Sequence, residues 1–402
     1  MYNLIELKEK IQNKLSVHLE YTDEEVKHII DDFILEDLKN IDNENKLKIS
    51  KYLFNSIRGF DILSELLEDN DISEIMINGP KDIFIEKKGK LIKLDKEFES
   101  KEKLEEIISN FVSLTNRIVN ETNPIVDTRL DDGSRVNIVM PPIAINGPIV
   151  TIRHFKSKII SMKDMIDYNT ISDELAEFLE IIVKAKYNIF ISGGTSSGKT
   201  TFLNALSNYI PKDERIITIE DSAELMIQNV DNLVRLETRN KNIEDKNEIT
   251  IKDLIKSSLR MRPDRIIVGE IRDEAAIDLL AAYNTGHDGS LSTGHANSVT
   301  DILTRLETLV LRGVNMPLLS IRTQIAQAID ILIHLERGRD KKRRVVNVSE
   351  IMGVENNEII LNTLYEFKEN SEKGDYVIGE FKKVNKLTNI DKLKKAGIFN
   401  YV

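Results

Sequence analysis

The chain of 402 residues contains no cysteine. Disulfides, thiolate catalysis and cysteine-ligated zinc are therefore excluded. No apolar run approaches the roughly 18 residues that a membrane-spanning helix needs. The first residues, Met1-Tyr-Asn-Leu-Ile-Glu-Leu-Lys, are charged and amphipathic where a secretory leader would carry an apolar core. An excess of positive charge is also missing: the formal balance is −11 at pH 7. That balance argues against nucleic acid as the main partner, because such binding rests on neutralising phosphates. There is no internal repeat and no low-complexity stretch. What is present is 31% charged and 41% hydrophobic residues, an ordinary water-soluble composition. The length suits two or three domains of roughly 150 residues each. A cytoplasmic protein fits, with attachment to a membrane surface through another protein left open.

Residues 193–200 read Gly-Gly-Thr-Ser-Ser-Gly-Lys-Thr, the G-x-x-x-x-G-K-[ST] phosphate-binding pattern. Before it, Tyr187-Asn-Ile-Phe-Ile-Ser192 has the pattern of a short buried strand. After it, Phe202, Leu203, Leu206 and Tyr209 fall on one helical face, and Pro211 ends the helix. Average residue usage puts a chance match in a chain this long at on the order of 1%. The glycines let the backbone curl so that several N–H groups point inward at phosphate oxygens, and the helix N-terminus adds partial positive charge. Gly193, Gly194, Thr195, Ser196, Ser197, Gly198, Lys199, Thr200 and Thr201 are the nucleotide-binding candidates. Lys199 is placed to reach the β- and γ-phosphates of ATP, and the Thr200 hydroxyl to ligate Mg²⁺.

Four segments organise the chain. Residues 1–60 show helical spacing, with Leu4, Leu7, Ile11 and Leu15 at three- and four-residue steps, and read as a docking arm or a packed extension. Residues 61–156 read as a mixed α+β domain. Its signals are a strand ending at Gly79-Pro80, a hairpin turning at Lys88-Gly89, a helix from Lys101 to Asn116, and strands at 134–140 and 147–153. Residues 157–167 read as a polar linker. From 168 to 402 the chain is α/β: strands at 188–192, 215–219, 233–237 and 264–269 alternate with helices at 200–209, 250–261, 272–284 and 298–311. That alternation predicts a mainly parallel sheet with helices on both faces and phosphate at the carboxyl ends of the strands.

Three constellations accompany the loop. Strand 215–219 ends in Glu220, placed for Mg²⁺ or water activation, or for capping a helix N-terminus. Strand 265–269 ends in Glu270, the acid of a generic Walker B pattern. Residues 285–298 hold His287 and His295, which read as phosphate sensors, as core histidines, or as metal ligands, the last without a supporting carboxylate set. Arg129, Arg135 and Arg153 cluster far upstream. They read as arginine fingers reaching a phosphate site from a second domain or subunit, or as surface salt bridges with Asp131 and Asp132. The basic run Arg337-Gly-Arg-Asp-Lys-Lys-Arg-Arg344 reads as a hairpin tip and a solvated turn.

Seven segments, in this order, resemble the type II/IV secretion ATPase superfamily, and most of all the CpaF-type motors of Tad (type IVc) pili. They are Glu74-Ile-Met-Ile-Asn-Gly-Pro80, Asn123-Pro-Ile-Val-Asp-Thr-Arg129, Ser192 to Thr201, Ile219-Glu-Asp-Ser-Ala-Glu-Leu225, Val234-Arg-Leu-Glu-Thr-Arg239, Met261-Arg-Pro-Asp-Arg-Ile-Ile-Val-Gly-Glu270 and Asn284-Thr-Gly-His-Asp-Gly-Ser290. The resemblance covers about residues 55–365. It implies a RecA-like P-loop ATPase domain, with ATP between it and the α+β domain, in a homo-hexamer. It also implies inner-membrane platform proteins of a pilus or secretion system as partners, and a peripheral place at the inner face of the cell membrane. Under it, residues 193–200 are the Walker A loop. Glu220 falls in the Asp box and orients the attacking water, and Glu270 is the Walker B acid near Mg²⁺. His287 or His295 falls in the His box, and Arg129, Arg135 and Arg153 match arginines that face the phosphates. Ser196 departs from the family, which usually has glycine there. Serine is small enough for binding to survive. A nucleic-acid translocase on the same fold and a non-hydrolysing nucleotide-dependent scaffold are the competing readings.

Overall fold

Two units of the chain, Met1–Ser157 and Lys158–Val402, each carry their own sheet and buried core. The computed structural model describes residues 4–16, 21–38, 41–113, 118–130, 132–154, 160–239, 248–374 and 376–399.

The first unit begins with α1 (Leu4–Leu15), α2 (Asp23–Asp37) and α3 (Asn43–Ile57). At the start of α2 the Thr22 hydroxyl accepts the Glu25 N–H while the Glu25 carboxylate accepts the Thr22 N–H, a reciprocal cap. Leu7, Ile11, Val26, Ile30, Ile34 and Leu53 recur at helical spacing and close into a small core. After α4 (Ile62–Glu68) come β1 (Ile72–Asn78), β2 (Ile83–Lys87), β3 (Lys90–Lys93), α5 (Lys101–Ser113), β4 (Ile125–Arg129), β5 (Arg135–Val139) and β6 (Ile149–Arg153). Residues 114–116, expected to continue the fifth helix, lie outside the described residues. The six strands are antiparallel in the order β3-β2-β1-β6-β5-β4. Lys88 and Gly89 turn the β2–β3 hairpin with φ of 52° and 75°. This is the two-residue turn whose twist matches that of paired strands.

The second unit starts earlier than its sequence suggests. Of the expected linker 157–167, residues 157–159 lie outside the described residues, while Met162–Asp167 form α6. The correction has a local cause. Ser161 and Asp164 make a capping box, and Met162 and Met165 bury in the core. Then follow α7 (Asp173–Lys184), β7 (Ile189–Gly193), α8 (Lys199–Ser207), β8 (Arg215–Glu220), β9 (Asn232–Glu237), α9 (Ile251–Ser258), β10 (Arg265–Val268) and α10 (Ala276–Asn284). After these come β11 (Leu291–His295), α11 (Val299–Gly313), α12 (Leu318–Ala328), β12 (Ile331–Arg337), β13 (Arg343–Glu355), β14 (Glu358–Lys373), β15 (Tyr376–Lys383) and α13 (Asp391–Lys395). The sheet order is β15-β14-β13-β12-β7-β11-β10-β8-β9. The strands from β12 to β9 in that order run parallel, and β13, β14 and β15 extend the sheet antiparallel.

Alternate residues of the central strand enter different cores. Ile189 and Ile191 pack with α7 and α8, whereas Phe190 packs with α10 and α11. A strand buried on both faces reads as an unbroken apolar run, as Ile189-Phe-Ile191 does. Helices on both faces of the sheet leave its strand ends free, and the carboxyl ends of β7, β8, β10 and β11 meet at one edge.

Candidate active site

β7 delivers the chain into the phosphate loop and α8 begins at Lys199. The loop needs its glycines for different reasons. At Gly193 a Cβ would lie 2.4 Å from the Leu335 carbonyl oxygen of the neighbouring β12. Gly198 has φ of 95°, open to glycine at little cost. Ser196, standing where the resemblance expects glycine, sits at φ 58°, a left-handed conformation that costs a residue with a Cβ about 1–2 kcal/mol. The buried Lys199 donates from Nζ to the carbonyls of Gly193 and Gly194, 3.0 Å each. Ser197 Oγ is buried with no hydrogen-bond partner among the described residues. Thr195 is exposed, and Thr200 and Thr201 are half-buried on the first turn of α8.

The parallel register sets His295 opposite Gly193. Its Nδ1 is 3.3 Å from Lys199 Nζ and its Nε2 is 2.9 Å from Glu270 Oε1. Burial pushes the imidazole pKa down from 6.5, so the ring is neutral at pH 7 and carries one N–H. The Lys199 ammonium beside Nδ1 makes that nitrogen the acceptor and leaves the proton on Nε2, which faces Glu270 Oε1, an oxygen buried with no hydrogen-bond partner among the described residues. Lys199, His295 and Glu270 thus stand in one row, joined by the Lys199–His295 hydrogen bond and the 2.9 Å approach of His295 to Glu270. The other oxygen of Glu270 accepts from Arg272 Nη2 at 2.6 Å, and Arg272 Nη1 lies 3.8 Å from Asp221.

Glu220 is 3% exposed at the end of β8. Its Oε1 accepts the backbone N–H groups of Glu224 and Leu225, each at 2.9 Å, and its Oε2 is buried without a partner. Burial outweighs those two bonds and raises the carboxyl pKa from 4.5 to about 7. No helix begins among residues 221–229, so Glu220 closes a loop, and the helix-capping alternative is set aside. A Cβ at Gly269 would lie 3.0 Å from Glu220 Cγ, so the glycine before Glu270 makes room for the acid of the adjacent strand.

His287 is at the opposite end of β11, with Nδ1 3.1 Å from the Ala282 carbonyl. Of the two His-box candidates only His295 reaches the loop, and the two histidines do not form a metal pair. Among the described residues no group of three or more His, Asp or Glu could hold a metal ion.

In the first unit, cross-strand register sets Arg129 opposite Arg135 and Arg135 opposite Arg153, three arginines abreast on β4, β5 and β6. Like charges directly opposite one another repel across a sheet, and Arg129 and Arg135 each have further partners. Asp132, one suggested salt-bridge partner, takes the N–H and hydroxyl of Ser134 instead, and Asp131 lies outside the described residues.

Two further residues near the loop are Arg272 and Arg343. Arg272 follows Glu270 by two positions, which was the available signal. Arg343 belongs to the basic run, which is indeed a hairpin tip, with Arg337 opposite Arg343. It is not simply a solvated turn. Arg344 is buried against Asp340, Arg339 reaches Glu369 and Glu372, and Arg343 Nε donates to the Ser196 carbonyl at 2.9 Å.

The residues present fit a nucleotide. A Cβ at Gly194 would meet nothing within 4 Å, and Ser197 Oγ and Glu220 Oε2 are buried polar atoms awaiting partners.

The profile of the family described as Type II/IV secretion system protein matches residues 57–389. The chain is 34% identical over 301 residues to conjugal transfer protein TrbB of Rhizobium radiobacter, covering 74% of this chain and 89% of that protein. It is 34% identical over 299 residues to protein VirB11 of Agrobacterium fabrum, covering 67% and 86%. The solved structure of the pilus retraction motor PilT with bound ADP aligns at a TM-score of 0.51 and 19% identity, over 85% of this chain and 87% of that one, a likeness of fold. The chain belongs to the type II/IV secretion system protein family and has its RecA-like α/β fold.

Proposed function

We propose that this chain is an ATP hydrolase, the subunit of a motor that turns hydrolysis into pilus assembly or retraction, or into protein secretion. The observation that carries the reading is the row Lys199–His295–Glu270 at the mouth of the phosphate loop, with a buried oxygen unpartnered on Glu270 and another on Glu220 at the adjacent strand end. Bound MgATP supplies the scissile γ-phosphoryl group and the divalent charge that shields it. The loop amides of 193–198 and Lys199 bind the phosphates, while Thr200 and Glu270 would hold the metal ion. Glu220, with a pKa near 7, is suited to take a proton at Oε2 from the attacking water. His295, touching both the lysine and the metal-binding acid, communicates between them.

The arginine row of the first unit has the role of fingers that neutralise charge developing on the transferred group. Three arginines abreast on neighbouring strands concentrate positive charge that an incoming anion can meet. Such fingers act from a second domain or subunit, which favours a closed homo-hexamer, since a ring ends the head-to-tail contacts that otherwise make filaments. No helix among the described residues is long and apolar enough to cross a membrane. We place the ring at the inner face of the cell membrane, on platform proteins of a pilus or secretion system, of the Tad type by the seven motifs. The test is phosphate release by the purified chain and by Lys199→Ala, with light scattering beside a non-hydrolysable ATP analogue. The reading expects turnover lost in the variant and a mass of about six times the 46.0 kDa subunit. Equal turnover in the two proteins would overturn it.

A further inference from the structure

Arg343 is the first residue of β13, 147 residues beyond the loop it touches. Its backbone is held from several sides. β12 lies parallel beside β7, with Leu335 opposite Gly193, and turns through the tip into β13. At the tip, Arg344 donates to Asp340 from Nη1 at 2.9 Å and from Nη2 at 2.5 Å, both side chains buried, and Asp340 also accepts the Val377 and Lys342 N–H groups. Alternation along the strand sends Arg343 the other way, toward the loop. Its Cδ lies 3.0 Å from where a Cβ on Gly198 would stand, so the side chain runs along the loop from Gly198 to the Ser196 carbonyl.

We infer that Arg343 is a positioning residue of the phosphate loop, whose guanidinium pins the Ser196 carbonyl and so aims the Ser197 N–H into the loop. The carbonyl of Ser196 and the N–H of Ser197 belong to one planar trans peptide and point in opposite directions. An arginine holding the oxygen from outside therefore fixes the hydrogen inside. That N–H faces across the loop to the Gly194 carbonyl at 3.4 Å, a long contact that leaves it available to a stronger acceptor such as a phosphate oxygen. The clamp also answers the one local conflict in the loop. Ser196 occupies left-handed backbone that glycine takes readily and serine does not, and without the clamp the peptide has a reason to flip.

The inference rests on the nucleotide-binding reading above, and the experiment separates the two. A fluorescent non-hydrolysable ATP analogue with Mg²⁺ is titrated into the wild-type chain, Arg343→Ala, Arg343→Lys, Ser196→Gly and the Arg343→Ala/Ser196→Gly double variant, with unfolding midpoints measured alongside. Absence of binding by the wild-type chain removes the nucleotide reading itself. Given wild-type binding, Arg343→Ala is expected to weaken the analogue about tenfold or more, the scale of a hydrogen bond from a charged donor. Turnover at saturating ATP should change less than affinity. Arg343→Lys keeps the charge and loses the side-on Nε donor, so it should fall with the alanine variant. In the Ser196→Gly background the loss should shrink, because glycine holds the left-handed turn unaided. Wild-type affinity in Arg343→Ala or in Arg343→Lys, or the same loss in both backgrounds, overturns the positioning role.

Discussion

The two ends of the parallel strands in the second unit both bury charge, but they differ in whether that charge is satisfied. At the amino end, fully buried Arg265 donates to both oxygens of Glu214 at 2.6 and 3.0 Å, and to the carbonyls of Val183 and Gly289. Asn188 donates to the Ala328 carbonyl and accepts from the N–H groups of Gly289 and Ser290. Asp330 accepts from the Asn188 N–H and from Lys392. At the carboxyl end, Glu220 Oε2 and Ser197 Oγ are buried with no partner among the described residues. A buried polar atom left unpaired costs roughly 1–3 kcal/mol, so a fold keeps such atoms where something outside the chain completes them. Burial and charge alone do not mark a site. Unused hydrogen-bonding capacity gathered at one place does, and at the carboxyl end it gathers on Ser197, Glu220 and Glu270.

The comparison can be broken at either end. The largest expected effect is Glu220→Gln: turnover should fall by about 10²–10⁴-fold while MgATP still binds, since the amide cannot take the proton. The same variant has a stability signature. The Glu220 pKa is about 7 in the fold against an ordinary 4.5, so the native state holds the proton more tightly. The folded state is therefore penalised progressively as pH rises through that interval, and fully above it. In nucleotide-free protein, Glu220→Gln should gain unfolding temperature relative to wild type as pH rises through that window. A constant difference across pH would deny that the carboxylate is strained. Next comes Arg265→Ala. It leaves Glu214 buried with only Lys186 at 3.6 Å, and should cost about 3–5 kcal/mol in denaturant unfolding. Turnover per folded molecule should hardly change. A large kinetic defect there would mean that the amino end also serves the chemistry. The smallest effect is His287→Ala, within about 0.5 kcal/mol in stability and near wild-type turnover. His295→Ala should instead impair phosphate release, and similar behaviour of the two histidines would erase the distinction between the ends.

Local pattern made much of this site legible. Apolar strand, glycine loop and amphipathic helix are contiguous in sequence, and Glu220 and Glu270 each follow an apolar run, so their place at strand ends could be read directly. The choice between His287 and His295 could not, because it depends on β11 slipping between β7 and β10. That pairing joins residues about a hundred positions apart and leaves no periodic trace. The arginine row has the same cause. Arg129, Arg135 and Arg153 stand abreast only through the register of three antiparallel strands. Arg343 was hidden by a composition argument: a dense basic run usually means solvent, yet here one arginine is spent on a buried aspartate and its neighbour on the loop. The supposed linker failed for a smaller reason. Ser161 and Asp164 form a cap three residues apart, and polar residues flanking two methionines outweighed that signal.

The place of β7 also orders events while the chain is being made. Both of its sheet neighbours, β11 and β12, come later in the sequence, at residues 291–295 and 331–337. Ribosomes add about 5–20 residues per second, so the strand that carries the nucleotide loop waits on the order of ten seconds for its second partner. Throughout that interval Ile189, Phe190 and Ile191 have no completed sheet to enter. The arginine that clamps the loop is synthesised later still, and α13, whose Lys392 closes the far end, follows it. The phosphate loop is therefore completed only after residues well downstream of it have been made.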